Sequence, residues 1–395
     1  MSENKQKFIL IFTFLAFFSL SLGVWVTYSI LWLEVHNITV QHISMIVGGA
    51  TFLACLIALG SVFLFKKINT LLLIKICLVL KILAMLGLIF LFNSTLLWII
   101  TALFIVDAIV TLLIVLSVYP LITNLAKTRK LYSHRKLIEY LFTDIGLVIA
   151  AIVISFPLAR FFEFNLLLII SLTLAVVSLI LLLCVRYKHE NKQFSLRRIY
   201  SDKILRWYQV YAFFMPAAVY LIFGMLALVV TEIIGLSLAH AVIFITVAHI
   251  SGDIFGYAAL YKLQFKNDYL TYSSKFWVRC ILYTVIAITA NFWVAIIGLF
   301  YSLFVSRAWE DVSDGVYINR VHTDDQLAFS NIRFGIARIG QAIGILICGL
   351  IFHFGMSAVF GVSAGLLAIA NCFGFYCIYL RNKEKRQLAV DKGLC

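Results

Sequence analysis

Arg186-Tyr187-Lys188-His189-Glu190-Asn191-Lys192-Gln193-Phe194-Ser195-Leu196-Arg197-Arg198-Ile199-Tyr200-Ser201-Asp202-Lys203-Ile204-Leu205-Arg206 is the longest polar stretch of a 395-residue chain that is otherwise a succession of apolar runs. A helix that crosses a bilayer needs about 20 apolar residues, because hydrocarbon offers no partner for the backbone and every amide must be satisfied inside the segment. Six such runs precede the polar stretch, at 8–33, 43–65, 71–92, 95–123, 137–158 and 165–187, and six follow it, at 208–234, 239–260, 275–291, 292–318, 333–352 and 358–380. The junction near Asn291, where two runs almost touch, is the least sharply marked. The expected fold is therefore an all-α membrane protein of twelve transmembrane helices. Residues 1–187 form one six-helix bundle, 188–207 a cytoplasmic linker and 208–395 a second bundle.

Composition and charge agree with that division. With 63% hydrophobic and 13% charged residues and a mean hydropathy of +1.04, the chain cannot present a water-soluble surface. A formal charge of +14 suggests nucleic acid only when Lys and Arg gather on one solvated face. Here they sit in short loops. If the N-terminus is inside, Arg160 is the single Lys or Arg in an outer loop, while Lys66-Lys67, 127–136, 186–206 and 381–392 are cytoplasmic. That bias predicts an even number of crossings with both termini cytoplasmic, in a bacterial cytoplasmic (inner) membrane. No small-residue cleavage site follows the first apolar run, so a cleaved leader is not expected.

Cys55, Cys77, Cys348 and Cys372 fall inside apolar runs without C-x-x-C spacing or a nearby His, and read as small buried hydrophobes. The sequons at Asn37 and Asn93 occupy very short outer loops, too cramped for glycosylation. Gly-rich phosphate loops, H-E-x-x-H helices and G-x-S-x-G elbows are absent, which argues against an ATP-driven pump or a hydrolase of those types. No enzyme activity, cofactor or metal is expected.

Two internal echoes relate the halves. Gly60-Ser61-Val62-Phe63-Leu64-Phe65-Lys66 after the second run is matched by Gly256-Tyr257-Ala258-Ala259-Leu260-Tyr261-Lys262 after the eighth, and Asp144-Ile145-Gly146 in the fifth by Arg338-Ile339-Gly340 in the eleventh. Together they favour a parallel repeat of two bundles related by a pseudo-two-fold axis.

In this layout the chain resembles the major facilitator superfamily, secondary transporters built from two six-helix bundles around a central cavity. Gly60, Lys66 and Lys67 loosely match that family's G-x-x-x-D-[RK]-x-G-[RK]-[RK] signature, although Leu64 stands where an acid is expected and the second glycine is missing. The proton-antiporter proline signature of the fifth helix is also missing. The resemblance implies that helices one, four, seven and ten line the cavity, and that two, five, eight and eleven form the interface between bundles. Gly48, Gly49, Gly146, Gly252, Gly256, Gly340, Gly344 and Gly349 lie on those interface helices. They are expected either as sliding contacts for rocking or as ordinary close packing.

Ionisable groups deep in a membrane cost about 2.5–3.5 kcal/mol each on insertion scales, so each needs a partner, water or a function. Asp107 in the fourth run either pairs with Lys81 of the third or presents a carboxylate to the cavity for proton or substrate. Asp144 in the fifth, with His249 and Asp253 one turn apart in the eighth, can form a proton-coupled gate or a structural hydrogen-bonded set. Glu139 accompanies Asp144. In the tenth run Arg307 is the candidate for an anionic group, with Glu310 and Asp311 toward the cytoplasm. Lys66, Lys67, Arg333 and Arg338 are candidate inner-gate cations. Trp25, Tyr28 and Tyr220 are candidate cavity aromatics, and Pro216 is expected to kink the seventh helix.

The reading that follows is a secondary active transporter using alternating access, with proton-coupled export of a small amphipathic or anionic organic molecule. Its partners are that substrate, the proton and membrane lipids. A lipid or lipid-linked precursor flippase of the same fold and a non-transporting membrane sensor or assembly partner are the alternatives. Substrate, direction, coupling ion and oligomeric state are not written in the sequence.

Overall fold

The computed structural model describes residues 3–26, 28–64, 70–91, 96–125, 129–155, 160–185, 200–262, 277–318, 320–321 and 325–391, with some side chains inside these ranges left aside. Every regular element among the described residues is a helix. In chain order they form α1 (Glu3–Trp25), α2 (Ser29–Val35), α3 (Val40–Leu64), α4 (Thr70–Phe90), α5 (Leu97–Leu125), α6 (Arg129–Ser155), α7 (Arg160–Leu183), α8 (Lys203–Phe223), α9 (Leu226–Ile233), α10 (Leu238–Lys262), α11 (Val278–Thr289), α12 (Phe292–Ile318), α13 (Gln326–Ile351) and α14 (Gly355–Asp391).

Among the described residues six helices are long and apolar enough to cross a membrane, or seven if the bent pair α8 and α9 is one span. One of the six, Ile332–Glu384, runs from within α13 to within α14. Leu141–Ser155, Leu238–Ile254, Val278–Thr289 and Phe292–Phe304 are shorter apolar helices. The ambiguous junction is resolved by two backbone devices. Ala290 closes α11 in the left-handed region at φ 45°, and the Asn291 side chain accepts from the backbone N–H groups of Trp293 and Val294 at 2.9 and 3.3 Å, capping α12.

The chain forms two compact units, Met1–Lys192 with Met225–Asp253, and Gln193–Gly224 with Ile254–Cys395. In the first, α1 runs along α6 and α7, α4 packs on α5 and α7, and α3 packs on α5. In the second, α8 runs along α13 and α14, and α11 packs on α12 and α14. The same helix partnerships therefore recur after half the chain.

Their closest approaches recur as well. A Cβ on Gly146 of α6 would lie 2.5 Å from the Leu20 carbonyl oxygen of α1, and one on Gly340 of α13 would lie 2.1 Å from that of Phe213 in α8. Gly23 and Gly344 make the complementary approaches, at 2.1 Å to Thr143 O and 2.2 Å to Ala217 O. The sequence echo of Gly146 and Gly340 is thus a repeated backbone contact. These glycines bring helices of one unit together, which favours the ordinary close-packing reading over the sliding contact for Gly146, Gly340 and Gly344. Serines repeat too: Ser171 of α7 donates to the Ser21 carbonyl of α1 at 3.1 Å, and Ser363 of α14 donates to the Ala218 carbonyl of α8 at 2.7 Å.

A turn is duplicated ahead of α3 and α10. Asn37 and Gly235 take positive φ, at 58° and 85°, a conformation that glycine adopts freely and asparagine tolerates. Two residues on, Thr39 and Ser237 cap the helices. Thr39 Oγ1 lies 2.6 Å from His42 Nδ1 and accepts from the His42 N–H at 3.4 Å, and Ser237 makes the same two contacts with His240 at the same distances.

Pro216 does not interrupt α8, which continues as one helix to Phe223, and the break before α9 falls at Gly224 and Met225. Gly224 occupies that break because the Ile345 side chain of α13 lies where a Cβ would go, 2.2 Å away.

Candidate functional site

The first unit encloses an ion pair in its apolar interior. Lys81 on α4 and Asp107 on α5 are 1% and 4% exposed, and Lys81 Nζ donates to Asp107 Oδ1 at 2.6 Å. The ammonium also donates to Thr111 Oγ1 at 2.8 Å, one turn along α5 from the carboxylate. The other carboxylate oxygen, Oδ2, accepts from the Trp25 indole Nε1 at 3.2 Å. Lys81 does not snorkel out. Two charges removed from water in this way are retained only if each is fully hydrogen-bonded, and here both oxygens of Asp107 are.

Trp25 joins this pair to a discontinuity in α1. It is the last residue of that helix, and α2 starts at Ser29. Trp25 packs edge-on against Trp32 with ring centroids 5.9 Å apart, and Trp32 lies 4.2 Å from the His36 ring. Tyr28, fully buried, lies between the two helices and places its hydroxyl 3.3 Å from Thr246 Oγ1 of α10. Two of the three expected aromatics thus surround or contact polar groups, while Tyr220 is half-buried on α8.

The second unit buries a cation in the matching helix. Arg279 on α11 is 1% exposed and donates through Nη2 to the Ser302 carbonyl of α12 at 2.9 Å. Tyr283, one turn on, donates its hydroxyl to Ser302 Oγ at 2.7 Å and meets Phe360 of α14 edge-on. Sequence reasoning passed over Arg279. The signal was available: Lys81 and Arg279 occupy corresponding places in the third and ninth apolar runs.

Asp144 is buried on α6, and His249 and Asp253 are half-buried a turn apart on α10. Arg333 lies over the Tyr208 ring at 5.7 Å, and Arg338 lies over Phe334 at 4.7 Å and donates to Gln341 Oε1 at 2.6 Å. Lys66 and Lys67 lie outside the described residues. Glu139 on α6 and Arg307, Glu310 and Asp311 on α12 are at positions whose side chains lie outside them too. Among the described residues no three His, Cys, Asp or Glu side chains could hold a metal.

A second ionic cluster, also not anticipated, sits beyond the apolar stretches of the second unit. Arg320 donates to Asp202 Oδ2 at 3.1 and 3.3 Å and to both oxygens of Glu384 at 2.8 and 3.2 Å, while Asp202 Oδ1 caps α8 at the Ile204 N–H, 2.7 Å away. The hydrogen bonds to Glu384 push the guanidinium above its ordinary value, against partial burial and with added help from Asp202.

No family model and no curated protein matches the sequence. Solved structures do match, across nearly the whole chain. A bacterial homologue of the human lysosomal transporter Spinster, in an inward-facing and occupied conformation, aligns at TM-score 0.70 and 12% identity over 96% of this chain and 98% of its own. The human organic anion transporter MFSD10 (TETRAN) aligns at 0.69 and 12% over 94% and 100%. A point variant of the E. coli fucose:proton symporter FucP aligns at 0.66 and 14% over 94% and 98%. Each is described as a transporter or symporter and none as an enzyme. The apolar helices and these likenesses make the chain a multi-pass integral membrane protein.

Proposed function

We propose, from the major facilitator superfamily fold that the chain carries, that it is a secondary active transporter working by alternating access and coupled to protons. Its twelve crossings form two six-helix bundles, 1–187 and 208–395, joined by the cytoplasmic linker 188–207. The repeated glycine and serine contacts support the bundles, and the loop charges support cytoplasmic termini in a bacterial inner membrane.

The buried Lys81–Asp107 pair with its Trp25 donor is the observation that carries the coupling. A carboxylate kept at that depth is expensive, and a titratable one has a use there. Asp144, His249 and Asp253 are the further coupling candidates, and Arg307 and Glu310 the further substrate candidates. Lys66, Lys67, Glu139, Asp311, Arg333 and Arg338 are assigned to the inner gate, and Tyr28 and Tyr220 to the cavity. The cargo is a small amphipathic or anionic organic molecule, moved outward. Among the structural likenesses, one protein is described as an organic anion transporter, in keeping with that class, and another as a sugar:proton symporter, in keeping with proton coupling.

A thermal-shift screen of detergent-purified protein against metabolites, drugs and lipids identifies a cargo, and proteoliposome flux then measures it. Asp107→Asn should abolish flux driven by a pH gradient while the protein still folds and inserts. Full flux in that variant and in Asp253→Asn would refute proton coupling, and stabilisation by lipids alone would favour a flippase.

A further inference from the structure

Both oxygens of Asp107 are engaged, Oδ1 by the Lys81 ammonium and Oδ2 by the Trp25 indole. A proton arriving at Oδ1 must displace the ammonium, because a neutral carboxyl holds its proton where the short charge-assisted bond was. Lys81 then keeps its charge, and the partner left to it in this cluster is the Thr111 hydroxyl. A hydroxyl does not balance a cation buried to 1% exposure.

The surrounding helices supply no replacement. The apolar stretches 8–25, 43–64 and 164–183, which belong to α1, α3 and α7, contain no Asp, Glu, Lys or Arg, and Asp107 is the only such residue between 97 and 125 on α5. α4 adds only Lys75, which donates to the Val185 carbonyl at 3.4 Å. The other titratable groups on the apolar stretches of α3 and α4 are the thiols of Cys55 and Cys77. A counter-ion for Lys81 therefore has to come from outside the apolar stretches of these five helices.

We propose that Lys81 binds the anionic group of the transported molecule, which takes the place of the Asp107 carboxylate when that carboxylate is protonated. The substrate is then a small organic anion carried together with one proton, and its outward movement is driven by its own concentration gradient. The proton goes onto Asp107 Oδ1, the ion pair breaks, and the ammonium keeps its three protons and pairs with the incoming anion. The net charge of the site is zero before and after. Because Trp25 ends α1 and holds the other oxygen of Asp107, the exchange is felt at the break between α1 and α2. This assignment rests on the transporter reading and narrows its cargo.

Binding is measured by thermal shift on the purified full chain at pH 6 and pH 8, with three matched pairs of probes: benzoate and benzamide, lactate and lactamide, gluconate and sorbitol. At least one acid should stabilise the wild type, weakening about tenfold per pH unit as one linked proton requires, while its neutral partner does nothing. Asp107→Asn should bind that acid equally at both pH values. Lys81→Met should not bind it. Lys81→Met/Asp107→Asn, which removes both charges and keeps the protein foldable, should not bind it either. Neutral probes binding as well as acids, no acid binding, or loss of acid binding in Asp107→Asn would each overturn the assignment. If Asp107→Asn does not fold, the wild-type pH slope and the double variant decide. Acid binding with this pattern but without flux in proteoliposomes would remove the transporter reading instead, and flux of a neutral solute unaffected by Lys81→Met would remove only this one.

Discussion

The two units bury a cation at corresponding places, but they hold it differently. In the first, Lys81 faces a carboxylate from the next helix. In the second, Arg279 donates to a main-chain carbonyl of the next helix, beside a tyrosine–serine hydrogen bond. A guanidinium does not titrate, and a main-chain carbonyl cannot take up a proton at any ordinary pH. The difference teaches that a repeated fold can seat a buried cation twice on unlike acceptors, a carboxylate that a proton can neutralise in the first unit and a main-chain carbonyl that it cannot in the second.

The comparison breaks most easily at Lys81. Lys81→Met strands a buried carboxylate and should cost about 3–5 kcal/mol, measured by chemical or thermal unfolding in detergent. Adding Asp107→Asn to it should restore much of that loss, since two neutral side chains of similar volume need no counter-ion. Arg279→Met removes the hydrogen bond to the Ser302 carbonyl and should cost about 2 kcal/mol. Equal losses at both positions would remove the contrast between the units.

Smaller effects test the likeness of the two units. Gly146→Ala and Gly340→Ala each press a Cβ onto a neighbouring backbone carbonyl and should each cost about 1–3 kcal/mol. Gly49, with nothing within 4 Å of its Cβ position, should accept alanine with no loss or a gain of up to about 1 kcal/mol. The smallest expected change is at the duplicated turn. Thr39→Ala and Ser237→Ala should each cost about 1 kcal/mol, and by similar amounts, since the same cap is removed from α3 and α10.

Much of this likeness was legible in the sequence, and some was passed over. The echo of Gly146 and Gly340 in the residue order reappears as a repeated close approach, α1 on α6 and α8 on α13, and of the two readings open to these glycines it favours ordinary close packing. Thr39 and His42 reappear as Ser237 and His240 with matched geometry, yet four residues in mostly apolar surroundings give little signal without the backbone to align them. Pro216 is a strong local cue for a bend, yet the helix is interrupted only after Phe223, at Gly224, where the Ile345 side chain leaves no room for a Cβ.

That the chain is a series of apolar helices followed from the residue order, because a segment in hydrocarbon must satisfy its own amides. That Lys81 and Asp107 share a unit was open to inference from adjacent antiparallel runs. That Trp25, 82 residues from Asp107, completes the carboxylate's coordination was not. Inside a membrane apolar faces differ little in their affinity for lipid and for one another. Which faces meet is then settled by close packing of whole helices, and no periodic pattern in the chain records it.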